Sequence, residues 1–153
     1  MAAISERLTR GTILAIDRSA TAIAAARRRN ADFVQAGRVT FTTVALADLA
    51  VGRARFDKIF AVNVNLFWRR AAGELAGVRR LLAPRGHLHL VYEPPTAAQV
   101  ARIGRETTRT LTESGFSDIV VRMGSGSAQG LIHVAARCLP APASKLRRSL
   151  RCR

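Results

Sequence analysis

The sequence predicts an α/β fold, a mostly parallel sheet closed by a C-terminal antiparallel hairpin, and three observations predict it. Strand-like apolar runs alternate with helix-like stripes through residues 12–114, the pattern of strands joined by crossover helices. The run at 56–63 carries Ile59, Phe60, Ala61 and Val62 in succession, apolar enough for a strand buried on both faces. The last two strand-like runs, 117–123 and 131–137, are separated only by the glycine- and serine-rich segment 124–130, which suits an antiparallel hairpin.

The elements follow in order. Residues 1–11 offer a short helical pattern, Ile4 and Leu8, and one glycine. The run Thr12, Ile13, Leu14, Ala15, Ile16 is a strand that ends in Asp17, and Ser19 is placed to cap the helix after it by accepting an orphan amide. Ala22, Ile23, Ala26, Phe33 and Val34 form that helix's apolar stripe, stopped near Gly37. Residues 39–46 make a second strand and 56–63 a third. A helix over 69–82 turns Leu75, Val78, Leu81 and Leu82 inward and is stopped by Pro84 and Gly86. Residues 87–92 are a fourth strand, Pro94 and Pro95 force an extended exit, and a helix spans 97–114 before Gly115. From Pro140 onward Pro, Ala, Ser and Arg replace the periodic pattern. This divides the chain into a domain over 1–138 and a basic, disordered tail over 139–153.

Composition narrows the function. The chain has 153 residues, 48% of them hydrophobic, enough for one domain with a sizeable core. Its 25 basic residues against 10 acids give a formal charge of +15, which permits nonspecific contact with polyanions. The arginines are scattered, apart from Arg27, Arg28 and Arg29 and the terminal group, as an arginine- and alanine-rich composition produces without any partner. Cys138 and Cys152 lack close partners, so neither a zinc site nor a disulfide framework is indicated and a reduced, cytoplasmic setting is expected. His87, His89 and His133 have no metal-ligand spacing and read as structural, so no metal is expected. No apolar stretch reaches the roughly 18 residues of a membrane span. The segment 124–130 looks like a phosphate loop, but a strand rather than a helix follows it.

Three local signatures agree with one family. Residues 13–19 (ILAIDRS), 56–68 (FDKIFAVNVNLFW) and 81–88 (LLAPRGHL), in this order and spacing, resemble a class I S-adenosyl-methionine-dependent methyltransferase of the small-molecule type. The resemblance covers residues 2–137 and implies a Rossmann-like sheet, S-adenosyl-methionine as cofactor and a small-molecule acceptor. It also implies site residues. Asp17, with Arg18 beside it, falls where the family's acid takes the cofactor's ribose hydroxyls. Ala45 stands where an acid usually meets the adenine, and Asp48, next to Leu49, is placed to substitute for it. Asn63 follows the strand that ends beside the methyl donor, and Asn65, Phe67, Trp68 and Tyr92 are candidates for the acceptor pocket. Each has a plain alternative as a strand-end, loop or packing residue, and Glu93 shares the ambiguity of Tyr92.

The resemblance begins after the family's most diagnostic motif, the first strand and its glycine-rich loop. A sheet without that central strand leaves the ladders of strands 12–17 and 56–63 unpaired, at about 1–3 kcal/mol per buried unpaired group. Domain stability is only about 5–15 kcal/mol, so the expectation is a truncated methyltransferase, weak or inactive as it stands. The other class to weigh is a noncatalytic, methyltransferase-like interaction module whose arginine surface holds an anionic partner. Neither the acceptor nor the oligomeric state can be read from the residues.

Overall fold

The computed structural model describes residues 2–64, 72–125 and 130–138. The chain divides into two compact units, Met1–Arg53 and Ala54–Arg153.

The first unit is a β-α-β arrangement. A short helix α1 (Ala2–Arg7) precedes strand β1 (Ile13–Asp17), which pairs in parallel with β2 (Val39–Thr43), Ile13 opposite Val39 and Asp17 opposite Thr43. The helical stripe between the strands is interrupted. It forms α2 (Ala20–Arg29) and α3 (Ala31–Gln35), separated at buried Asn30, whose side-chain amide donates to the Ala26 carbonyl at 2.7 Å. A short polar side chain that competes for helix carbonyls disfavours a continuous helix at that point. Ser19 is the N-cap of α2, its hydroxyl accepting from the Ala22 N–H at 3.2 Å. Ile23, Val39 and Phe41 are buried, with Ile13, Ala15, Ala26 and Phe33 packed against them. Arginine side chains bond main-chain carbonyls: Arg27 donates to that of Phe41 at 2.6 Å, and Arg38 to those of Ser5, within α1, and Leu8, just after it. The second strand stops at Thr43, and a 3-10 turn, Leu46–Asp48, takes up the rest of the predicted strand.

The second unit carries a four-stranded sheet in the order β3-β4-β6-β5. Strands β3 (Phe56–Val62) and β4 (Leu82–Tyr92) run parallel, and helix α4 (Ala72–Leu81) lies between them in sequence. Helix α5 (Ala97–Glu113) leads to β5 (Phe116–Met123), and β6 (Ile132–Cys138) returns antiparallel to both β4 and β5. The alternation of β4 and β6 puts Leu88, Leu90 and Tyr92 with Ile132, Val134 and Ala136 on one buried face. There α5 lies so close that a Cβ on Gly104 would come within 2.8 Å of Ile132 Cδ1. Leu75 and Val78 of α4 and Leu111 of α5 are fully buried.

Two further findings differ from the sequence expectation. Strand β3 is not buried on either face: Ile59 and Ala61 are half-buried, while Phe60 is 36% and Val62 56% exposed. Pro84 and Gly86 do not end α4; the helix stops at Leu81, and the two residues lie within β4, where the register jumps from Phe56 opposite Leu82 to Lys58 opposite His87. Arg85, with φ of 65°, makes the bulge. Among the described residues β1 and β3 each pair on one edge alone, with β2 and β4 respectively. The tail over 139–153 lies outside the described residues.

Candidate active site

In the first unit the carboxyl ends of β1 and β2 point the same way because the strands are parallel. Asp17 stands at that end, exposed, at the turn into α2. Its Oδ1 accepts the Ser19 main-chain N–H at 2.8 Å, and the Val44 N–H donates to its carbonyl at 3.0 Å. One carboxylate oxygen therefore fixes the turn, and the residue is exposed. Asp48, exposed, and Leu49, half-buried, follow β2 at the same end, carried there by the 3-10 turn, and Arg18 is exposed beside Asp17. This is the end of an open α/β sheet at which ligands bind.

In the second unit Asn63 and Tyr92 come together. With Glu93, Pro94, Pro95, Gln99, Arg102 and Ile103 they line a cavity of about 210 Å³ at the carboxyl ends of β3 and β4, beside the first turns of α5. Asn63 Oδ1 accepts the Glu93 main-chain N–H at 2.8 Å, so the side chain ties the two strand exits together. Tyr92 lines the cavity, and its hydroxyl is buried beside Thr107 of α5. Neither hydroxyl has a hydrogen bond of regular geometry. Burial pushes the Tyr92 phenol up to about 12, a rise that the neighbouring Thr107 hydroxyl opposes. Tyr92 therefore stays protonated at neutral pH. Asn65, Phe67 and Trp68 lie outside the described residues.

Gln99, Arg102 and Ile103 carry no strand-end signature and reach the cavity only because α5 starts immediately after the Pro94–Pro95 exit. The helical spacing of Gln99, Arg102 and Ile103 is the one sequence signal that could have found them. Three histidines far apart in sequence also converge, His89 Nδ1 lying 3.1 Å from His133 Nε2, yet no group of three metal-ligating side chains is arranged to hold an ion among the described residues. No helix among them is long and apolar enough to cross a membrane.

A β-α-β unit with an acid at its first strand end, and a sheet closed by an antiparallel pair whose last strand inserts next to β4, define a methyltransferase-type α/β domain. The sequence pattern of the methyltransferase domain family matches residues 1–88, more than half of the chain, and the chain belongs to that family. S-adenosyl-methionine is the cofactor that this family implies. Solved structures agree on the fold. The methyltransferase SibL superposes with a TM-score of 0.72 at 15% identity, over 90% of this chain and 46% of its own. The N-methyltransferase NodS from Bradyrhizobium japonicum, solved with S-adenosyl-L-homocysteine, gives 0.61 at 19% identity, over 83% of this chain and 66% of its own. Magnesium protoporphyrin IX methyltransferase from Synechocystis, also solved with S-adenosyl-homocysteine, gives 0.62 at 20%, over 84% and 64%. This chain thus spans about half to two thirds of the length of these structures. No curated protein sequence matches it.

Proposed function

We propose that the chain is part of a cytoplasmic S-adenosyl-methionine-dependent methyltransferase acting on a small-molecule acceptor. The observation that carries this reading is Asp17: an exposed carboxylate at the end of a parallel strand, with one oxygen held by the Ser19 N–H, able to accept from two vicinal ribose hydroxyls. Arg18, Asp48 and Leu49 would border the cofactor's nucleoside. In the second unit Asn63 would border the donor group through its side-chain NH2, its Oδ1 being held by the Glu93 N–H.

When bound, S-adenosyl-methionine supplies a methyl group activated on a sulfonium. The chain's own task is to position the acceptor and receive its proton. The cavity at the end of β4 is the acceptor side in this reading, with Asn65, Phe67 and Trp68 completing it. Of its lining groups, Tyr92 is held protonated, Asn63 and Gln99 are amides and Arg102 is a cation; Glu93 is the one that can take a proton.

The open edges of β1 and β3 support a further part of the reading: a segment outside this sequence, carrying a glycine-rich turn, completes the ladders, and the chain alone is weak or inactive. Titration calorimetry with S-adenosyl-methionine tests both parts, on this chain and on one extended upstream in frame. Binding by the extended form and not by this chain is the expected result. Binding by neither would remove the methyltransferase reading of function.

A further inference from the structure

The cavity at the carboxyl ends of β3 and β4 has two sides of different chemistry. Asn63, Tyr92 and Glu93 come from the strand exits, and Gln99, Arg102 and Ile103 from the first turns of α5. The bond from the Glu93 N–H to Asn63 Oδ1 fixes the strand side. On the helix side the three residues are spaced three and four apart, which puts them on one face of α5. Among these lining residues Arg102 is the cation and Glu93 the anion, and both are exposed to the space they border. Helix α5 has no acidic residue in its first turn, so the positive end of its dipole adds to the charge of Arg102.

We propose that this cavity takes a small monocarboxylic acid and that Arg102 is the residue that selects it; the proposal rests on the reading of the cavity as the acceptor side and deepens it. A guanidinium presents its N–H groups as a planar fork that meets both oxygens of a carboxylate in parallel. It has five such donors, more than one neighbouring acceptor uses. The Gln99 amide, one turn earlier on the same helix face, offers a further N–H to the same group. With its carboxylate on the helix side, the acid turns its other end toward Asn63 and Glu93, the donor-side amide and the group that can take a proton. Arg102 therefore sets the direction of the acceptor as well as its charge.

Size and charge decide against the alternatives. An apolar cavity of about 150 Å³ holds a benzene ring. The volume here, about 210 Å³, admits one ring with a polar group at each end, and lies below the roughly 300–1,000 Å³ of sites that enclose drug-sized ligands. A phosphate monoester carries about −1.5 to −2 charges at neutral pH, and in so small a space Glu93 repels the excess. A monocarboxylate brings the single charge that Arg102 balances. A cationic acceptor would be repelled by Arg102 and by the end of α5. The chain as a whole also draws anions toward it, with a formal charge of +15.

The test is titration calorimetry with para-hydroxybenzoate, its methyl ester and phenyl phosphate, on this chain and on the form extended upstream. Para-hydroxybenzoate should bind, and the ester and phenyl phosphate about tenfold more weakly or less. Arg102→Gln, at an exposed position, should weaken para-hydroxybenzoate about tenfold and leave the uncharged ester unchanged. Arg102→Lys keeps the charge without the fork and should restore part of the loss. Arg105→Gln, exposed on the same helix and outside the cavity, should change nothing, which separates recognition in the cavity from general attraction to a basic surface. No binding of para-hydroxybenzoate by either form, equal binding of the ester, or equal losses in Arg102→Gln and Arg105→Gln overturns the inference. Tighter binding of phenyl phosphate overturns it too and assigns the cavity to phosphates. Titration of the extended form with S-adenosyl-methionine judges the methyltransferase reading separately: its failure removes the acceptor role, whereas failure of the carboxylate arms alone removes the selection by Arg102 and leaves that reading standing.

Discussion

Asn63 closes the end of β3 onto the end of β4 with two hydrogen bonds: its main-chain N–H donates to the Val91 carbonyl at 2.8 Å, and its Oδ1 accepts the Glu93 N–H at 2.8 Å. The residue sits at φ of 54°, a left-handed conformation that asparagine tolerates better than other side chains. The amide that the sequence offers as a ligand group thus also sets the shape of the cavity beside Glu93.

Substitutions at Asn63 separate these contributions. Asn63→Asp keeps both the acceptor and the tolerance for positive φ, and stability in urea should stay within about 0.5 kcal/mol of the parent. Asn63→Gly keeps the backbone conformation but loses the side-chain bond, a cost of about 1 kcal/mol. Asn63→Ala loses the bond and adds the left-handed penalty, about 2 kcal/mol in all. Equal losses for Gly and Ala would show that the backbone conformation contributes nothing.

Glycines at two places in the same unit should respond to alanine in opposite directions. A Cβ on Gly86 would stand 2.9 Å from the Ala83 carbonyl oxygen and 3.1 Å from that of Phe56, both main-chain atoms that cannot move aside cheaply. Gly86→Ala should cost about 1–3 kcal/mol by thermal or urea unfolding. Gly77, inside α4, would meet nothing nearer than the Arg80 guanidinium at 3.8 Å, so Gly77→Ala should gain about 0.5–1 kcal/mol from helix propensity.

The same contrast shows what a sequence reveals. Asp17, Ser19 and the α5 boundaries were legible because capping and helix periodicity are local, and the structure has them where the pattern put them. Pro84 and Gly86 were read as helix stops, whereas they form a bulge in β4 whose geometry depends on Phe56, far away in sequence. Nor could the pattern of β3 reveal that neither of its faces is buried, since burial depends on what packs there. The histidine row depends on β6 entering beside β4, a pairing that spacing alone does not specify.

That row makes stability depend on pH. Folded His89 and His133 titrate below 6.5, chiefly because burial disfavours their charged forms. Between those lowered values and 6.5 the unfolded chain binds more protons than the folded one. The associated stability is therefore complete above 6.5 and is lost as pH falls through that window. Urea midpoints should fall from pH 7.5 to 5.5, and His89→Gln/His133→Gln should flatten the dependence. A midpoint that rises on acidification would show that the imidazoles are stabilised in their charged forms.

Asp17 and Ser19 share a turn but should fail differently. Ser19→Ala removes the acceptor of the Ala22 N–H and should cost about 1 kcal/mol of stability, with little change in cofactor affinity once the protein is folded. Asp17→Asn retains an oxygen for the Ser19 N–H, so stability should hold. What it loses is the carboxylate that accepts from two hydroxyls, a charged hydrogen-bonding group worth about 1.5–3 kcal/mol, or roughly tenfold to a hundredfold in affinity. Measured by calorimetry on the upstream-extended protein, weakened S-adenosyl-methionine binding with unchanged melting would place the ribose on Asp17. Unchanged binding would leave Asp17 as the acid of a turn and nothing more.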